Sequence, residues 1–252
     1  MWDRQIAGLE GVTIASDPLP PTTLASIRRT RLALNGPLET PSGGGDRSSN
    51  VRLREEFQLY ANLRPALTVV PGGRFDRIDL VVVRENLEDL YIGQEHYVKI
   101  DDDPHAVAMA TGINTRAGSR RLIEFAFQHA VTTGRKKVTI MHKANVMNAL
   151  TGIFLETGLE LYERKYKGQF ILDTVIIDAC AMKLVLNLRQ FDVLVTTTCS
   201  ATFCRTWSLA WWATWAWRRA RTSAPMPPSS KPCTARQPTS QGRTRPTPRR
   251  CC

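Results

Sequence analysis

The residues best suited to chemistry cluster between Thr40 and Pro65, in TPSGGGDRSSNVRLREEFQLYANLRP. Three glycines, Gly43 to Gly45, make a flexible loop, and a polar turn, Arg47-Ser48-Ser49-Asn50, leads into a helix-like run over Val51–Leu63. Ser48 and Asn50 stand where N-cap residues stand, so a hydroxyl, an amide and free backbone N–H groups can converge on an anion. Arg54 lies one helical turn beyond Asn50, on the same face, and Arg64 falls at the far end of the run. Guanidinium groups grip carboxylates bidentately, so two arginines beside a helix start fit a substrate with several carboxylates. The plainer reading of the same spacing is an amphipathic surface helix with solvated arginines.

Further along, Ile78–Val83 is an unbroken apolar run of strand length, as in a strand buried on both faces. It leads into Arg84-Glu85-Asn86, with Tyr91 following. Lys136–His142 reads as the next strand and delivers Lys143-Ala144-Asn145 at its C-terminal end, where open α/β sheets place ligand groups. Asp173–Ile177 is a strand ending at Asp178. Helices are expected over 115–133, 148–166 and 179–188, and a strand over Phe191–Val195. This alternation predicts an α/β fold with an open, largely parallel twisted sheet. Asp101-Asp102-Asp103 reads as an exposed acidic turn. His96, His105 and His129 have no partner at metal-ligand spacing and read as structural.

Several of these motifs together resemble the β-decarboxylating dehydrogenases, the isocitrate and isopropylmalate dehydrogenase family. Ser48-x-Asn50-x-x-x-Arg54 is the isocitrate form of the substrate loop, the isopropylmalate branch having a more apolar one. RENLEDLYIG and Lys143-x-Asn145 are similar to the family's arginine-to-tyrosine and lysine segments. The resemblance is closest to bacterial NAD-dependent isocitrate dehydrogenase and covers roughly residues 1–197. It implies that isocitrate is held by Ser48, Asn50, Arg54, Arg64 and Arg84, and that NAD lies near Thr40 and Asn145. It implies Tyr91 as acid, Lys143 as base and Asp178 as first carboxylate of the Mg²⁺ or Mn²⁺ site. It further implies a homodimer through a clasp-like segment near 93–115, with Lys143 and Asp178 reaching the partner's site. Residues 1–65 would be part of a large domain and 66–197 a small domain. The family's opening strand and Gly-rich turn are not found, so a truncated N-terminus is expected. Tartrate- or homoisocitrate-type relatives share these arginine, lysine and tyrosine sets.

Charge and cysteine separate the chain in two. The net charge is +11 over 252 residues. Ten of the 34 Lys/Arg and no Asp or Glu fall in 199–252, so the preceding body is nearly neutral. Five of six Cys and five of six Trp also lie in that tail. A body with Cys180 alone fits a reducing compartment, and the expectation is cytoplasmic, with no membrane partner, since no apolar run nears the roughly 20 residues of a membrane helix. One reading of the tail is a disordered basic segment with Trp and Arg interleaved, as in single-strand nucleic-acid binders, here only non-specific. The other is a change of reading frame. Back-translated and read one base earlier, Cys199–Trp207 can encode Met-Phe-Gly-Asp-Ile-Leu-Ser-Asp-Leu. Lys231–Gly242 can encode Glu-Ala-Val-His-Gly-Thr-Ala-Ala-Asp-Ile-Ala-Gly. Both are similar to the family's metal and cofactor segments, in the right order. The expectation is therefore one lost base near codon 198, a non-native tail, and a chain inactive as written.

Overall fold

A computed structural model describes residues 2–36, 38, 48–68 and 77–198, and the backbone of 220–223 and 233–235. The elements in chain order are α1 (Leu9–Ala15), α2 (Pro21–Thr30), α3 (Ser49–Glu56), β1 (Ala61–Leu67), β2 (Asp79–Glu85), β3 (Asp89–Ile100) and β4 (Asp103–Ile113). They continue with α4 (Arg116–Thr132), β5 (Lys137–His142), α5 (Gly152–Leu161), β6 (Ile171–Ile176), α6 (Ile177–Leu186), β7 (Val193–Thr196), β8 (Ala220–Ser223) and β9 (Cys233–Ala235).

One sheet runs in the order β6-β5-β7-β2-β1-β8-β9. Strands β6, β5, β7 and β2 are parallel to one another, and β1, β8 and β9 join antiparallel. This is the α/β fold with a largely parallel sheet that the sequence predicts. Successive residues of a strand point to opposite faces, and both faces are covered. Val81, Val83, Val138, Ile140, Val193 and Val195 pack with Leu122, Phe127 and Phe154 of α4 and α5. Leu80, Met141, Val175 and Leu194 face the other way, onto Ile177, Cys180 and Leu184 of α6. Each such side chain contributes about 1.5–3 kcal/mol by burial, which explains why the strands read as continuous apolar runs. Cys180 is a buried thiol in this second cluster.

Helix α4 buries Leu122, Ile123, Ala126, Phe127 and Ala130, a stripe at helical spacing. Its cap is Thr115, whose side chain accepts from the Gly118 N–H. The Glu88 carboxylate in turn accepts from Thr115 N at 2.8 Å and Oγ1 at 2.6 Å, fastening the helix start to the turn after β2. Strands β3 and β4 form a separate two-stranded hairpin, exposed along most of its length on both sides. Asp101 and Asp102 make its exposed turn.

Four expectations are corrected. The helix from Val51 stops at Glu56 instead of reaching Leu63, because Gln58 takes a left-handed φ of 49° and the chain turns into β1. Tyr60, Ala61 and Leu63 gain core burial there, and Pro65 would have broken a longer helix. The helix expected from Asn148 to Tyr166 begins at Gly152 and ends at Leu161, passing into a π-helical turn over Tyr162–Tyr166. Asp178 lies in the first turn of α6, not at the end of a strand. Part of the tail expected to be disordered forms β8 and β9. The open edge of β1 presents backbone groups that template such pairing, and Ala61–Leu63 take up β8. The rest of the tail lies outside the described residues.

Candidate active site

Because β2, β5, β6 and β7 run parallel, their C-terminal ends share one edge of the sheet. Arg84 and Glu85 come from β2, Thr196 to Thr198 from β7, Lys143 from just past β5 and Asp178 from just past β6. The antiparallel β1 begins at the same edge, where Asn62 sits opposite Arg84 and Arg64 opposite Val82. Val82 packs toward the α6 cluster. By alternation Asn62, Arg64 and Arg84 share that face.

Arg84 is nearly fully buried, and its guanidinium carbon lies 5.1 Å from the centroid of the Tyr91 ring. Such a cation–aromatic contact contributes roughly 0.5–2 kcal/mol. Arg64 Nε donates to Asn62 Oδ1 at 2.9 Å, which places the second guanidinium beside the first strand pair. Tyr91 returns to Arg84 because the intervening turn is clamped. The buried Glu85 carboxylate accepts N–H groups from Leu87 at 2.9 Å and Glu88 at 2.7 Å, and the Thr198 hydroxyl at 2.6 Å. Burial pushes the Glu85 carboxyl above its ordinary range, against the hydrogen bonds from Thr198, Leu87, Glu88 and Asn86 that pull it down. Asn86 Nδ2 donates to the Leu59 carbonyl at 2.9 Å and ties the turn to the start of β1.

Lys143 and Asp178 form a second group, joined by an ion pair between Nζ and Oδ2. The Lys143 side chain is 23% exposed and that of Asp178 62%. The lysine backbone is fixed by its N–H to Thr151 Oγ1 at 3.2 Å, and Ala144 N donates to His142 Nδ1 at 3.2 Å. Burial pushes the His142 imidazole below its ordinary range, which favours the neutral ring that accepts this bond. Asn145 lies exposed in the turn that follows. Strand β7 separates β5 from β2, and two interstrand steps amount to roughly 10 Å. The pair therefore stands beside the Arg84–Tyr91 group in this chain.

The third group is on α3. Ser48 precedes the helix without capping it through its side chain. Asn50 Oδ1 accepts from Asn35 Nδ2 at 3.0 Å, and the Arg54 carbonyl accepts from Leu59 N at 2.8 Å. The helix is bound to the N-terminal segment through Arg52 and Asp17, 2.7 Å apart, and that hydrogen bond holds the Asp17 carboxyl below its usual range. Thr40 and the glycine loop lie outside the described residues, so Asn145 is the one expected cofactor contact placed here.

The donor set does not fit a divalent cation. Among the described residues no three His, Cys, Asp or Glu gather at one point, and Asp178 is already paired with Lys143. A hard cation usually needs several oxygen ligands, and Asp178 alone does not supply them. Sequence reasoning missed Asn62, Glu85, Asn86, His142 and Thr198, which position the others. Only Asn62 left a signal, since its place two residues before Arg64 puts both on one strand face.

The model of the isocitrate/isopropylmalate dehydrogenase family matches residues 1–200. The chain is 42% identical over 196 residues to catalytic subunit 6 of a mitochondrial NAD isocitrate dehydrogenase of Arabidopsis thaliana, covering 77% of this chain and 50% of that one. It is 40% identical over 196 residues to the chloroplastic 3-isopropylmalate dehydrogenase of Solanum tuberosum, with 77% and 53% covered. It thus spans about half the length of the curated relatives it matches. The crystal structure of isocitrate dehydrogenase from Methylococcus capsulatus superposes with a TM-score of 0.84 at 38% identity, covering 93% of this chain and 68% of that one. The extent of the family match, together with the shared fold, establishes that this chain belongs to the isocitrate/isopropylmalate dehydrogenase family.

Proposed function

We propose that this chain carries the substrate-gripping and proton-handling part of an NAD-linked isocitrate dehydrogenase, which oxidatively decarboxylates isocitrate to 2-oxoglutarate in the cytoplasm. The observation that carries the reading is the buried Arg84 guanidinium held against Tyr91, with Asn62 bringing Arg64 to the same face. The Ser48-x-Asn50-x-x-x-Arg54 loop favours isocitrate over isopropylmalate. Arg64 and Arg84 neutralise two substrate carboxylates, and Ser48, Asn50 and Arg54 receive the third group. Lys143 takes the proton of the substrate hydroxyl, and Tyr91 returns a proton to the carbon that loses CO₂. A nicotinamide dinucleotide supplies the hydride acceptor when bound. The separation of Lys143 and Asp178 from Arg84 favours a homodimer in which they serve the second copy's site. The exposed β3–β4 hairpin is the clasp.

We further propose that the frame changes at codon 198. The family match ends at residue 200, beside the change in residue usage, and the described residues lack a complete cation site. The test is a turnover assay with isocitrate, NAD⁺ and Mn²⁺, run on this chain and on the product of a gene with one base restored at codon 198. The expected result is no turnover from the first and turnover from the second, with isocitrate used faster than isopropylmalate, tartrate or homoisocitrate. Turnover by the unrestored chain, or a restored protein that prefers another of these acids, would overturn the assignment. DNA sequence across codon 198 showing no lost base would overturn the frame change by itself.

A further inference from the structure

Three arginines, Arg116, Arg120 and Arg121, occupy the first two turns of α4, and the first turn carries no acidic residue. Helix stability does not ask for this. The start of a helix is the positive end of its dipole, where acidic groups stabilise and cations oppose by about 0.3–1 kcal/mol each. With Tyr60, Phe125 and Gln128, these arginines line a groove of about 580 Å³, a volume typical of small-molecule sites, roughly 300–1,000 Å³. Helix α4 covers the face of the sheet opposite the α6 side. The groove thus lies on the opposite face of the sheet from Arg64 and Arg84, and the inference drawn from it does not rest on the function proposed above.

Arg121 is the centre of the groove's chemistry. Its guanidinium carbon lies 4.4 Å from the centroid of the Tyr60 ring, and that ring meets Phe125 edge-on at 6.2 Å. Its Nε is buried with no hydrogen-bond partner, and among the described residues no carboxylate lies within ion-pair distance of it. The cation is held by stacking, with its charge uncompensated. Arg116 and Arg120 meet Glu156 and Glu160 only at 3.5–3.9 Å and are about half exposed. Exposed pairs of that kind contribute about 0–1 kcal/mol and are readily exchanged for a better anion. Glu124 also lines the groove, but its carboxylate is taken by Lys165 Nζ at 2.5 Å.

We propose that this groove binds a small-molecule anion that joins a flat ring to a phosphate or paired-carboxylate group. The charged end is received by the three arginines, and the ring lies along Tyr60 and Phe125. Calorimetric titration of the full chain at low salt tests this with phenyl phosphate, benzene-1,2-dicarboxylate and ring-free pyrophosphate. Phenyl phosphate separates a phosphate source from a carboxylate one, and pyrophosphate reports charge alone. At least one ring-bearing probe is expected to bind below about 1 mM and more tightly than pyrophosphate. R121Q should weaken it about tenfold or more, whereas R249Q/R250Q in the basic tail should leave it unchanged. Should R121Q fail to fold by circular dichroism, the exposed double variant R116Q/R120Q gives the same readout. The proposal is overturned by equal affinity in wild type and the groove variants, by loss only on changing the tail, or by no binding of either ring-bearing probe at about 10 mM.

Discussion

At the scale of single residues, Glu85 shows how a position with no chemistry of its own can organise those that have it. Its carboxylate gathers two backbone N–H groups of the turn and the hydroxyl at the end of β7. Burial raises its pKa above the ordinary glutamate value of 4.5. A raised folded-state value means that the native chain binds this proton more tightly than the unfolded chain. The resulting stability is full below about 4.5 and is lost as pH rises through the folded value. The denaturant midpoint of wild type should therefore fall over that range relative to Glu85→Gln, which cannot titrate. Parallel midpoints in the two proteins from pH 4 to 8 would contradict the burial argument. Asp178 gives the opposite case. Its side chain is 62% exposed and its ion pair with Lys143 lies near solvent, so Asp178→Asn should move global stability by no more than about 0.5 kcal/mol. Urea unfolding measures this directly, and a loss of several kcal/mol would show the pair to be a structural tie.

At the scale of elements, α4 is the piece that fixes the edge carrying the candidate site to the core, through the Thr115 cap and the Glu88 carboxylate. Thr115→Ala removes the cap and one of two bonds to Glu88, and should cost about 1–2 kcal/mol. Thr115→Ser keeps the oxygen and should recover most of it, which the same urea experiment reads. The strands and α4 were legible in the sequence because their burial patterns are local. Runs such as IDLVVV state double-sided burial, and the Leu122–Ala130 stripe states a helix. The end of α3 was not legible, because the choice between another helical turn and β1 is made by a distant partner. Tyr60, Ala61 and Leu63 leave the helix only because the α4 side of the sheet receives them. The candidate site followed the same rule. Arg84, Tyr91, Lys143 and Asp178 were visible as residue types in or just after the strand-like runs, and the registers that place Asn62 opposite Arg84 were not.

For the whole molecule the deciding feature is the β3–β4 hairpin. A two-stranded hairpin exposed on both sides is marginally stable in water, yet this one runs through twelve and eleven residues. It also leaves Leu90, Tyr97, Ile100, Val107 and Met109 exposed, Tyr97 by 62%. Its internal support is slight, the contact of Tyr97 with His105 at 4.5 Å being an edge-on ring pair. In the homodimer proposed above, burying large apolar side chains at about 25 cal/mol per Å² against a second copy would supply what the hairpin lacks alone, and the same docking would carry Lys143 and Asp178 toward the other site. Sedimentation equilibrium should then show a dimer at micromolar concentration. Tyr97→Lys together with Met109→Lys should shift it to monomer and speed amide exchange throughout Asp89–Ile113, leaving β2, β5 and β7 protected. A monomeric wild type with a protected hairpin would mean that the hairpin is stable by itself, and the two-copy site would fail with it.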